Sequence, residues 1–92
     1  MNFVLYCLDK AGHGPVRAEN RPAHLDYLKS KLDSIVIAGP LLADDGESVR
    51  GSLLVVDVAD RAAAEAFAAG DPYAKAGLFE SVTITAYKKV LP

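Results

Sequence analysis

Apolar positions along the chain come in blocks, and their period changes from block to block. Asn2 to Leu8 is apolar almost throughout and rich in aromatic and branched side chains. Such a run reads as a strand covered on both faces. Gly12, Gly14 and Pro15 then interrupt it. Between Val16 and Leu32, Leu25, Leu28 and Leu32 recur at the three-and-four spacing of one helix face, while Asp26, Lys29 and Lys31 fall off that face. Pro22 either sits in the first turn, with Asn20 or Arg21 before it, or kinks a helix begun nearer Val16. Ser34 to Ala38 is a short branched run, hence a strand, closed by Gly39-Pro40. Leu41-Leu42 can extend it, because proline is tolerated on an edge strand or at a bulge.

Ala43 to Glu47 has turn composition and contains the Asp-Gly hairpin signal. Gly51 to Val58 follows as a third strand, making an antiparallel hairpin with the second. Asp60 is a good N-cap for an alanine-rich helix that runs to Ala69, and Gly70 is placed as the residue just beyond its end. Asp71-Pro72 starts a short helix through Lys75 or Ala76, stopped by Gly77. Phe79 to Tyr87 is the last strand, with Val82, Ile84 and Ala86 on one face and Ser81, Thr83, Thr85 and Tyr87 on the other.

The order β-α-β-β-α-β is the ferredoxin-like split arrangement of the α+β class. It predicts a four-stranded antiparallel sheet with two helices on one face. The other face is left bare, yet the first and third strands are apolar at consecutive positions. A second copy of the chain, packed sheet to sheet, is the expected cover, which makes a homodimer.

Composition narrows the function classes. Ninety-two residues of 9.7 kDa predict one domain spanning residues 1–92. With 51% hydrophobic and 24% charged residues the chain has the balance of a globular protein. A net charge of −2 offers no basic footprint for nucleic acid and no polybasic membrane patch. No apolar run approaches the roughly 20 residues that span a bilayer. Asp9 and Lys10 end the N-terminal apolar run too early for a signal peptide, so a cytoplasmic location is expected. The single cysteine, Cys7, reads as a small core hydrophobe with no base beside it.

Few residues carry chemistry. His13 lies in a glycine-flanked loop and reads as solvated. His24, on the first helix, is either a hydrogen-bonded structural histidine or an acid–base group that titrates near neutrality and requires an orienting carboxylate. Asp71 stands at a joint between helices and is the best candidate for that carboxylate, although its place before Pro72 is also explained by capping. Arg17 and Arg21 are one helical turn apart, as surface charges or as a grip on an anionic substrate. Gly12-x-Gly14 lacks the rest of a dinucleotide fingerprint, no Walker A sequence is present, and two histidines and one cysteine show no metal-ligand spacing. The expectation is therefore chemistry without a cofactor or metal.

The runs Arg21-Pro22-Ala23-His24-Leu25-x-Tyr27-Leu28, Ala38-Gly39-Pro40-Leu41, Gly51-Ser52-Leu53 and Ala69-Gly70-Asp71-Pro72-Tyr73-x-Lys75-Ala76-Gly77-Leu78-Phe79 resemble the YciI-like (YCII-related) family. The likeness covers almost the whole chain, and Gly70 to Phe79 is its most specific part. It implies a dimeric α/β barrel in which two ferredoxin-like sheets face each other, and a pocket holding a His–Asp pair that matches His24 and Asp71. One branch of the family resembles dehydrochlorinases of chlorinated hydroxyhydroquinones. On that basis His24 is expected to take a proton from a small aromatic or unsaturated substrate while Asp71 orients the imidazole. Arg17 or Arg21 would hold developing negative charge, and Ser52 or Tyr73 would donate a hydrogen bond. The competing classes are a non-catalytic ligand-binding or dimerisation module and a cofactor-free monooxygenase of the same barrel fold. The loop Gly12-His13-Gly14-Pro15 matches no family feature.

Overall fold

The apolar run at the N-terminus forms β1 (Asn2–Asp9), which lies inside the sheet with a neighbour on each side. The computed structural model describes all residues from Met1 to Pro92. After β1 come α1 (Gly14–Ser30), β2 (Ile35–Leu42), β3 (Val49–Asp57), α2 (Arg61–Gly70), α3 (Pro72–Lys75) and β4 (Phe79–Tyr87), with one 3-10 turn at Leu32–Ser34. The strands make one antiparallel sheet in the order β2-β3-β1-β4. This is the expected α+β, ferredoxin-like architecture, with α3 added before the last strand. No helix is long and apolar enough to cross a membrane.

Register decides which side chains share a face. Phe3 pairs with Val56, Leu5 with Leu54 and Cys7 with Ser52, and on the other flank Leu5 pairs with Ile84. Directly opposed residues point the same way. Phe3, Leu5, Cys7, Leu54 and Val56 therefore meet Ala64 and Phe67 of α2, with Tyr27 and Leu28 of α1 packed against them. Each such large side chain contributes about 1.5–3 kcal/mol when fully buried. The opposite face carries Val4, Tyr6, Leu53, Val55 and Ile37, and there Tyr6 and Ile37 remain exposed. Only 14 of the 92 residues are buried, so the core is a single layer between the sheet and its helices.

At three boundaries the structure settles two points that the sequence leaves open and moves one. First, α1 starts at Gly14, with Pro15 in its first turn and Pro22 well inside it. Proline suits the first turn because no helical acceptor awaits its missing N–H. Pro22 deprives the Ala18 carbonyl of a donor, but Ala18 is exposed and water can replace it. Second, Leu32 lies beyond the helix and is 66% exposed. The inward stripe runs instead through Arg17, His24, Tyr27 and Leu28. Third, β2 continues through Gly39-Pro40 to Leu42, which its edge position allows.

Gly70 is also placed differently. It is the last residue of α2 rather than a left-handed residue beyond it, and Asp71 follows as the cap. Its missing side chain makes room for Tyr27, because a Cβ there would lie 2.6 Å from the Tyr27 hydroxyl oxygen. That hydroxyl donates to the Phe67 carbonyl at 2.9 Å, so it cannot simply swing away. Gly77, at φ +74°, does end α3 in the left-handed conformation. Gly70→Ala is expected to lower stability by about 1–3 kcal/mol through overpacking. The loss should shrink in a Tyr27→Phe background, and a double-mutant cycle followed by urea denaturation measures that coupling.

Candidate active site

The joint between α2 and α3 presents Asp71, and its geometry follows from the Asp-Pro start of α3. Oδ1 of Asp71 accepts the Tyr73 backbone N–H at 2.9 Å, which caps the helix. The same oxygen lies 2.8 Å from Nδ1 of His24, contributed by the middle of α1. Both side chains are buried, at 9% and 5% exposure. Since Oδ1 is already an acceptor toward Tyr73, Nδ1 carries the proton and donates. Nε2 has no protein partner, and in the neutral ring it is the atom that carries the lone pair. No buried side-chain nitrogen or oxygen lacks a hydrogen bond, so Nε2 is open to the space beside it.

That space is a cavity of about 180 Å³, bounded by Arg17, Arg21, His24, Ser52 and Tyr73, with Leu25, Leu28 and Leu54 as its apolar wall. Tyr73 stacks on the imidazole with ring centroids 3.9 Å apart and planes 15° from parallel. The Arg17 guanidinium lies 4.6 Å from the centroid of the same Tyr73 ring. Burial raises the Tyr73 phenol pKa, although Arg17 and Arg21 pull it down, so its O–H remains a donor at neutral pH.

All six residues singled out from the sequence thus meet in one place, His24 and Asp71 through a direct bond and the other four on the cavity wall. Arg17 is not free, however. Its Nε and Nη2 donate to the two carboxylate oxygens of Asp9 at 2.8 and 2.9 Å, and Nη2 also donates to Oγ of Ser52 at 3.0 Å. Desolvation opposes its charge, but the Asp9 contact outweighs it and the Arg17 pKa rises. In the sequence Asp9 marks only the end of an apolar run, and its role as the partner of Arg17 comes from the structure. An acid closing a strand shortly before an arginine on the next helix was the available signal. His13 borders an adjoining open cleft and places Nδ1 3.0 Å from the Ala11 carbonyl.

Chains of this sequence pattern and fold occur among known proteins. The model of the YCII-related domain matches residues 1–88. The chain belongs to the YCII-related family. Protein YciI of Escherichia coli is 36% identical over 97 aligned residues, covering 98% of this chain and 99% of that protein. An uncharacterised Haemophilus influenzae protein is 31% identical over the same span. Among solved structures, the 5-chloro-2-hydroxyhydroquinone dehydrochlorinase of Burkholderia phenoliruptrix, in complex with 2,5-dihydroxybenzoquinone, superposes with a TM-score of 0.88 at 33% identity, covering 96% of this chain and 94% of the other. An Arabidopsis thaliana protein at 14% identity, with a TM-score of 0.51 and coverage of 99% and 96%, shares the fold alone. The YCII-related chain described here therefore has the fold of the dimeric α/β barrel superfamily.

Cys7 lies beneath this site and is buried. Burial, then the charges of Asp71 and Asp9, push its thiol pKa up to about 12, with Arg17 opposing them. A raised pKa favours the protonated thiol in the folded chain, so this contribution to stability is full below pH 9 and is lost as the pH climbs toward 12. The expected result is no reaction with a thiol-selective disulfide reagent at pH 8 until denaturant is added. Rapid labelling of the native chain would contradict a buried, protonated thiol.

Proposed function

We propose that the chain is a cofactor-free acid–base enzyme that eliminates from, or isomerises, a small oxygenated ring. The observation that carries this reading is the open Nε2 of a buried, carboxylate-paired histidine facing the 180 Å³ cavity. A cavity of about 150 Å³ holds benzene, so one six-membered ring fits. The fold and identity shared with a dehydrochlorinase of a chlorinated hydroxyhydroquinone support the same class of substrate.

Loss of HCl from such a ring needs proton transfers and no redox partner. One hydroxyl proton moves to the ring carbon that bears chlorine, leaving a ketone. His24 Nε2 then takes a second hydroxyl proton. The electron pair so released shifts through the ring and the C–Cl bond breaks, its pair leaving with chloride. The products are a hydroxyquinone, chloride and one proton. Asp71 is a positioning residue: it fixes the Nδ1–H tautomer and stabilises the imidazolium. Arg21 and the Tyr73 hydroxyl line the cavity where charge develops on the ring oxygens.

Anaerobic incubation with 5-chloro-2-hydroxyhydroquinone is expected to release chloride. His24→Gln should lower kcat/KM about 10²–10⁴-fold. Asp71→Asn keeps a good cap for α3, so its loss of activity should come with loss of the downfield Nδ1 proton signal in NMR rather than with unfolding. A strict requirement for oxygen would favour the monooxygenase class. Ligand binding without any turnover, unchanged in His24→Gln, would favour a binding module.

We also propose that a second copy covers the face carrying Tyr6 and Ile37. Burying those side chains against a partner would supply the apolar contact that a single-layer core lacks. Sedimentation at micromolar concentration is expected to show a dimer, and Tyr6→Asp with Ile37→Asp should yield monomer. A wild-type monomer would remove this part of the proposal.

A further inference from the structure

Outside the His24 cavity lies a larger open cleft of about 860 Å³, which shares Arg17, Arg21, Pro40 and Tyr73 with it. Its charge is lopsided. Four of the chain's ten lysines and arginines line it, Lys10, Arg17, Arg21 and Arg50, against two of its twelve acids, Asp9 and Glu80. Asp9 is consumed by Arg17 in a two-pronged ion pair. Lys10, Arg21 and Arg50 make no ion pair at all. The cleft is thus net positive in a chain whose net charge is −2. These cations come from the end of β1, from α1 and from β3, three elements with no local reason to collect one sign.

A second feature points the same way. The N-terminus of α1 opens into this cleft at Gly14. Its first turn holds no acidic residue, and no side chain caps it. The Gly14 and Val16 N–H groups have no partner in the chain, and Pro15 has none to give. A helix of 17 residues so left uncapped carries a partial positive charge at that end. Free donors and unpaired cations therefore converge beside the mouth of the cavity that holds Nε2.

We infer that this cleft is the binding site for an oxyanion group, carboxylate or phosphate, on the substrate, held by Arg21, Arg50, Lys10 and the start of α1. The inference deepens the proposed function: the ring enters the His24 cavity and its acidic substituent stays in the cleft. Arg17 is not the receptor. Asp9 and Ser52 hold it in place, and only its Nη1 is without a protein partner. The substrate then carries an acidic substituent on the ring in addition to the hydroxyls that the elimination uses.

The test is calorimetric titration of the full chain with benzoate, phenyl phosphate and phenol. At least one of the two anions is expected to bind tenfold or more tightly than phenol, and to weaken as salt is raised, whereas phenol should not. Whichever anion is preferred identifies the substituent. Arg50→Gln, which lies outside the His24 cavity, should erase the preference and leave phenol binding unchanged. Equal affinity for phenol and both anions, absence of binding by all three, or an anion preference that survives Arg50→Gln would overturn the inference. His24→Gln separates this from the proposed function: anion preference should persist there, while turnover should be lost. Retained turnover in His24→Gln overturns the catalytic reading and leaves the anion site intact.

Discussion

One carboxylate oxygen holds the site together. Oδ1 of Asp71 accepts from the Tyr73 backbone and from His24 Nδ1, so a single buried atom both starts α3 and fixes the imidazole on α1. Capping and orienting are therefore the same act, not rival explanations of Asp71. Starting α3 at Pro72 also sets the position of Tyr73, whose ring covers one face of His24 and meets Phe79 of β4 edge to face, with centroids 6.1 Å apart. Removing either member would strand a buried polar partner, at a cost of about 1–3 kcal/mol.

The same logic repeats along α1. Arg17 is pinned to Asp9 and Ser52, His24 to Asp71, and Tyr27 to the Phe67 carbonyl. These three residues share the inward face of the helix. Each polar group on that face has a partner from a different element: β1 and β3, the α2–α3 joint, and α2. Such pins hold α1 as a fixed platform despite Pro22 in its interior, and a fixed platform is what a positioned base requires.

This arrangement explains what was legible in the sequence and what was not. The succession of elements, the hairpin, both aspartate caps and the Gly77 stop rest on local chemistry, and the structure has them where the residues place them. On α1, Leu28 does pack on the core and Leu25 does face inward, but the innermost side chain is a histidine satisfied by a residue 47 positions away, which leucine spacing does not reveal. Gly70 looked like a helix terminator for a similar reason: its need is set by Tyr27, which no local pattern reveals. The Arg17–Asp9 pair spans only eight residues, yet it depends on the turn between β1 and α1 bringing the two side chains together. Asp71 was legible twice over, as a cap by its neighbours and as a carboxylate by the family likeness. The bond to His24 joins the two readings.

The cavity itself comes from small residues on β2. Ala38 lies opposite Leu54 and Pro40 opposite Ser52, so both stand on the helix-facing side of the sheet. In the sequence, Ala38-Gly39-Pro40 looks like the end of a strand. In the fold it is an edge segment too small to reach the helix, and the unfilled volume borders His24, Leu25 and Leu28. Interiors normally close to crystal-like density, and space beside apolar walls forfeits dispersion contacts. A chain with a single-layer core has little stability to spare for that, yet it keeps a hollow at the one place where a histidine nitrogen lacks a protein partner. Small residues on β2, a pinned helix opposite them and an open Nε2 between them serve no packing purpose together. They fit the proposed reading, in which the hollow admits one ring.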